Sequence, residues 1–180
     1  MRSYTITDGA SGTAGECAAI NYNWFGGAES PPTFFSVQLD RSLGFLVRME
    51  CKEPNPKAVY HDHDKPVFED SCMEVFVDFY PEKNIGYLNI EVNANGAMLC
   101  MFGKTRVGRQ TVRGRYTDVP RVTVKKQDDR WIATVIIPFP LIEALYGTSE
   151  MRPGHRMRGE LLQMRGQNGQ PPLGQLEFTG

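Results

Sequence analysis

The segment His61-Asp62-His63-Asp64 sets two imidazoles two residues apart. In an extended backbone they point to one side, where their ring nitrogens could share zinc, nickel or copper. A third ligand would have to come from His155, Cys72 or an aspartate such as Asp70. A lone His-x-His is equally at home in a solvated loop, so His61, His63 and Asp70 are secondary metal candidates and no metal is expected. Asp62, Asp64, Glu69 and Asp70 carry the oxygen ligands calcium takes, without a calcium-loop motif around them. Glu69 and Glu74 could imitate the carboxylate pair of a glycosidase, but two acids in one stretch are routine. Lys104, Arg106, Arg109, Arg113 and Arg115 form a basic loop that could grip an anion or balance the acidic run from Asp62 to Asp70. Met49, Met73, Met98 and Met101 and three histidines are available to a haem, yet no Cys-x-x-Cys-His occurs. The chain also has no GxSxG, HExxH, P-loop or dinucleotide fingerprint. The expectation is a protein without catalysis and without a cofactor.

The elements that must position these groups are mostly strands. Thr33 to Asp40 and Leu43 to Cys51 alternate about a turn at Arg41-Ser42, the pattern of a hairpin. Asp70 to Phe79 puts Cys72, Glu74, Phe76 and Asp78 on one face and Met73, Val75, Val77 and Phe79 on the other. Tyr87 to Asn93 puts Tyr87, Asn89, Glu91 and Asn93 on one face, and Asn95-Gly96 turns the chain into a strand ending at Gly103. Val119 to Lys126, Trp131 to Ile137, Arg156 to Met164 and Leu173 to Phe178 complete the set. One short helix is predicted over Leu141 to Tyr146, stopped by Gly147. Residues 1–32 read as an irregular arm of the same domain with one short strand around Ile20 to Phe25. The fold class is all-β, an antiparallel β-sandwich with one short helix. Its core should comprise Phe35, Val37, Phe45, Val47, Met73, Val75, Val77, Ile90, Val92, Ile132, Val135 and Ile137.

Composition agrees with one soluble domain. The chain has 180 residues, 41% of them hydrophobic and 23% charged. A net charge of -1 argues against nucleic acid or an anionic membrane as partner. Met1 to Ile6 lacks the apolar core of a signal peptide, so the expected location is cytoplasmic, or extracellular if a leader has been removed. Cys17, Cys51, Cys72 and Cys100 show no CxxC spacing, and three of them sit in apolar or alternating stretches, as buried thiols do.

Pro66-Val67-Phe68-Glu69-Asp70 leads into a strand reading Glu74-x-Phe76-x-Asp78, and Tyr87 to Gly96 forms the next strand and turn. Trp131 to Phe139 reads as tryptophan, alternating apolar residues and Ile-Pro, and Leu173-Gly174-Gln175-Leu176-Glu177-Phe178 follows. In this order the four segments resemble the family 9 carbohydrate-binding modules and their stand-alone family 9-like relatives, the last of them their closing "Phe-Gly-x-Leu-x-Phe". The likeness spans the chain from about Thr33 to the end.

That resemblance implies an immunoglobulin-like or DOMON-like sandwich that binds sugars, often beside an enzyme that degrades polysaccharides. It puts a mono- or oligosaccharide as ligand and a glycoside hydrolase as partner. Structural calcium is a further implication. Phe68 stands at the first aromatic platform and Glu74 at a sugar-binding glutamate, with Asn89 and Glu91 on the strand of polar contacts. A sugar needs a flat apolar surface and planar polar groups, a mixture that Phe68, Glu69, Glu74, Asn89, Glu91 and Arg106 supply together. Arg165 to Pro172, where a second tryptophan belongs, holds no aromatic, so Tyr60 and Trp24 are the candidates to replace it. The relatives' "Asn-Phe-Tyr-Lys" reads Glu160-Leu161-Leu162-Gln163 here. The alternatives are a DOMON-like haem or metal module, and a structural sandwich without its sugar site.

Overall fold

The computed structural model describes residues 2–8, 17–20, 31–165 and 176–179. Its strands, in chain order, are Arg2–Thr5 (β1), Thr7–Asp8 (β2), Ala18–Ala19 (β3), Thr33–Asp40 (β4), Gly44–Cys51 (β5), Ser71–Asp78 (β6), Tyr87–Asn93 (β7), Met98–Gly103 (β8), Gln110–Thr111 (β9), Arg121–Lys126 (β10), Trp131–Ile137 (β11), Arg156–Arg165 (β12) and Leu176–Thr179 (β13). The helix, Phe139–Tyr146 (α1), follows β11. Among the described residues one sheet runs β1-β13-β12-β6-β7-β8-β9, and the other β10-β11-β5-β4-β2 with β3 also on β4.

Alternation explains both sheets. In β4 and β5 every second residue is apolar, so one face of the hairpin can be buried while the other stays polar. Asp40 Oδ1 accepts from the amides of Ser42 and Leu43 and tightens the turn between them. Gly44 follows at φ 121°, and a side chain there would run into the Ile137 carbonyl. The inward residues of the two sheets meet in one core that includes Phe35, Val37, Phe45, Val47, Met73, Val75, Val77, Ile90 and Val92. Phe45 meets Phe79 edge-on, ring centroids 5.1 Å apart. Beneath the loop that follows β5, Glu53 accepts from Ser71 Oγ at 2.9 Å and from Trp131 Nε1 at 3.3 Å, which links the sheets at that end.

Several expectations shift. Ile132 is not core: Trp131, Ala133, Val135 and Ile137 point inward, so period two turns Ile132 to the half-buried outer face. The helix starts at Phe139, because two prolines at its first turn lose no helical hydrogen bond. The basic loop contains the two-residue β9. The arm supplies β1, β2 and β3, and two of its pairings, β1 with β13 and β2 with β4, are parallel. Residues 21–25 of the expected arm strand and 173–175 of the closing strand lie outside the described residues. Cys51, Cys72 and Cys100 are buried thiols as expected, and Cys17 is exposed.

Candidate functional site

The outward face of the β12-β6-β7-β8 stretch is where the polar residues gather. Register fixes it in rows. One row reads Leu162, Glu74, Glu91, Leu99, and the next reads Glu160, Phe76, Asn89, Met101. Outward residues of a sheet are ordinarily solvated, yet here Glu74 is 3% exposed, Glu91 6% and Asn89 0%. Burial has a cost for polar groups without partners. Asn89 Nδ2 and Oδ1, Glu91 Oε2 and two nitrogens of Arg109, Nε and Nη1, are buried with no hydrogen-bond partner. Five unpartnered polar atoms on one face form a surface ready to exchange hydrogen bonds with a ligand.

Electrostatics follow from the same burial. Glu74 and Glu91 face each other directly across adjacent strands. Burial, then repulsion from Glu91, pushes Glu74 up to about 8. Burial also raises Glu91, against the pull of Arg109, then of the neighbouring Asn89 amide and, last, of Arg106. Burial alone lifts Glu160 to about 7. The face therefore carries protonated carboxyls near neutral pH.

Arg109 is the residue that sequence reasoning passed over in favour of Arg106. Arg106 is exposed, whereas the Arg109 guanidinium carbon lies 5.7 Å from the Tyr87 ring centroid, and that ring stands 6.1 Å from Phe76. The signal was Gly103. It pairs with Tyr87, and a Cβ there would lie 2.9 Å from Arg109 Cα. Only glycine lets the loop fold back this closely.

The segment from Lys57 to Asp70 borders this face. Asp70 Oδ2 accepts from the amides of Val59 and Tyr60 at 3.0 and 3.1 Å and from Asn93 Nδ2 at 2.9 Å. A single helical turn, Val67–Glu69, packs against β6 and β7. Val67 anchors it in a small cluster with Cys72, Ala97 and Met164 on the outward face. Phe68 is thereby held out at 44% exposure. Tyr60 donates to Glu69 Oε2 at 2.6 Å and, half-buried, packs on the same small cluster. Phe68, Glu69, Glu74, Asn89 and Glu91 thus share one region; Arg106 stays at its exposed margin, and Trp24 lies outside the described residues.

The metal candidates do not converge. His63 Nδ1 accepts from the Met98 amide at 3.1 Å, His61 Nε2 lies 3.4 Å from Asn95 Nδ2, and His155 Nε2 bonds the Phe79 carbonyl. Among the described residues no three His, Cys, Asp or Glu side chains group as a metal site. Of the acids considered for calcium, Asp64 pairs with Arg113, Tyr60 donates to one oxygen of Glu69, and Asp70 Oδ2 serves two amides and an amide side chain while its Oδ1 has no hydrogen-bond partner. Met49, Met73 and Met98 belong to the core, not to a haem pocket.

Known proteins share this fold. A family model described as carbohydrate-binding family 9 matches residues 13–161. No curated protein matches the sequence. Among solved structures, a candidate carbohydrate-binding protein from Bacteroides uniformis superposes with a TM-score of 0.71 at 19% identity, over 98% of this chain and 99% of that one. Two structures of a family 9 carbohydrate-binding module from Caldicellulosiruptor kristjanssonii superpose at 16% identity. One, in complex with glucose, has a TM-score of 0.56 over 99% of this chain and 96% of that one. The other, with cellotriose, has 0.54 over 91% and 78%.

Proposed function

We propose, starting from the fact that this chain belongs to carbohydrate-binding family 9, that this carbohydrate-binding domain takes its ligand on the outward face bearing Glu74, Asn89, Glu91 and Arg109. The observation that carries the assignment is the set of buried, unpartnered polar atoms on Asn89, Glu91 and Arg109. A sugar ring edge offers neighbouring hydroxyls that both donate and accept. Asn89 offers one of each, Glu91 accepts and Arg109 donates, so adjacent hydroxyls match the set. Exposed Phe68 supplies an apolar surface for the C–H face, with Glu69 beside it as a further acceptor. The ligand class is a neutral mono- or oligosaccharide. Relatives of the same fold bound to glucose and cellotriose make a glucosyl unit the first to try.

The domain holds its ligand without changing it, and a glycoside hydrolase is the partner such binding would serve. With Phe68 as the exposed aromatic ring among the described residues, affinity should sit near millimolar, about 4 kcal/mol. Calorimetric titration with glucose and cellotriose tests the reading. Saturable binding that Asn89→Ala and Arg109→Ala each weaken at least fivefold supports it. Binding that both variants leave intact places the site elsewhere. Unchanged cellotriose after prolonged incubation supports a purely binding role.

A further inference from the structure

We propose that Glu74 and Glu91 act as one acid pair holding a single proton, so that the site accepts uncharged sugars, rejects acidic ones and loses affinity in alkali. The proposal rests on the sugar reading of the same face, and it names the charge class and the pH response that the reading leaves open.

Geometry comes first. Glu74 and Glu91 are directly opposed residues on the outward side of β6 and β7. Such cross-strand side chains have Cβ atoms about 4.5–5.5 Å apart. Both are buried, and among the described residues neither forms an ion pair. Two carboxylates this close and this dry cannot both stay ionised at modest cost.

The surroundings leave no other source of neutrality. On β6 the flanking outward residues are Cys72 and Phe76, with Asp78 beyond them. On β7 they are Asn89 and Asn93. From β12, Leu162 stands opposite Glu74 and Glu160 opposite Phe76. From β8, Leu99 stands opposite Glu91. The turn before β6 brings Glu69 and Asp70, both acids. The cations acting on the pair are Arg109, half-buried beside Tyr87, and Arg106, which is exposed and screened by water, both from the loop after β8. Arg109 alone against two buried carboxylates leaves one charge on the face, which one proton cancels. The protonated carboxyl then becomes a donor beside the unpartnered Glu91 Oε2. That asymmetry suits a hydroxyl, which can accept from one carboxyl and donate to the other. A uronate would instead add a second anion to a face already rich in acids.

The position of Glu74, pushed up to about 8, puts the loss of this proton just above neutral pH. Glu160 titrates nearby and must be separated from it.

The test uses the full chain. Calorimetry with glucose and with glucuronate at about pH 6 and about pH 9 runs beside sugar-free thermal melts of wild type, Glu74→Gln and Glu160→Gln. A group titrating near 8 keeps its proton in about one molecule in ten at about pH 9, so glucose should bind about tenfold more weakly there. Glucuronate should give no binding at either pH. The wild-type melting temperature should fall across the range, and Glu74→Gln should at least halve the fall while Glu160→Gln leaves most of it. Glucose affinity equal within about twofold at both pH values overturns the proposal, as does glucuronate binding as tightly as glucose. Should glucose bind at neither pH, the sugar reading itself fails. The melts then judge the pair alone, and a fall of the same size in Glu74→Gln overturns the shared proton.

Discussion

Asp70 Oδ2 accepts a 2.9 Å hydrogen bond from Asn93 Nδ2, and the same oxygen takes the amides of Val59 and Tyr60. One carboxylate oxygen thus fastens the Lys57 to Asp70 segment to β7. Asp70→Ala should therefore leave buried donors unpaired and cost about 2–5 kcal/mol in denaturant melts. A loss below about 0.5 kcal/mol would show that the segment is held by other contacts.

Phe68 has the opposite character. Among the described residues it is one of the few large apolar side chains left exposed, so its removal opens no cavity. Phe68→Ala should leave the melting temperature within a few degrees and weaken glucose binding at least fivefold by calorimetry. A variant that binds normally would remove Phe68 from the ligand surface.

Gly103 matters through Arg109. A Cβ at Gly103 would press on the Arg109 backbone and lift the guanidinium from Tyr87. Gly103→Ala should therefore lower sugar affinity about as much as Arg109→Ala does. The double variant should be no worse than either single one, since both remove the same contact. Additive losses would mean that Gly103 acts on something else.

Glu160 gives a pH prediction with a definite sign. Its folded value, about 7, lies above that of an unfolded glutamate, so the folded state holds the proton more tightly. The stabilisation is present at acid pH and fades as pH rises from the ordinary glutamate range through about 7. Glu160→Gln should flatten that part of the melting profile and gain on wild type at about pH 8 relative to about pH 5. An unchanged difference across the range would place the carboxyl in water.

Phe45 tests the core. It is fully enclosed and meets Phe79 edge-on. Phe45→Ala should cost about 3–5 kcal/mol by chemical denaturation. A cost below about 1 kcal/mol would mean that the sheet faces are reversed.

Strands were legible because alternation is a local property. Glu74, Phe76, Asn89 and Glu91 could be placed on outward faces from parity alone, and the register agrees. The same parity, applied consistently, excludes Ile132 from the core beside Val135. What alternation could not reveal was depth. An outward glutamate usually meets water, and only the assembled face shows Glu74 and Glu91 buried against each other. Arg109 was hidden for a related reason: its place depends on a close backbone approach at Gly103, which no periodicity reports. Nor could alternation reveal that the Tyr60 hydroxyl bonds Glu69, a contact set by the loop and not by any strand.

The parallel pairing of β1 with β13, Thr5 beside Thr179, has a consequence for how the molecule is assembled during synthesis. The β4–β5 hairpin can form as soon as its own residues emerge from the ribosome. The edge of the longer sheet cannot, because β13 is made long after β1 and must be inserted between it and β12. Bridging so long an intervening chain adds little equilibrium cost, about 0.6 kcal/mol per doubling of loop length. It does impose a waiting time. Until β13 emerges, β12 presents an unpaired edge next to the carboxylate-bearing strands, and nascent chains stalled before β13 should be the ones that chaperones hold.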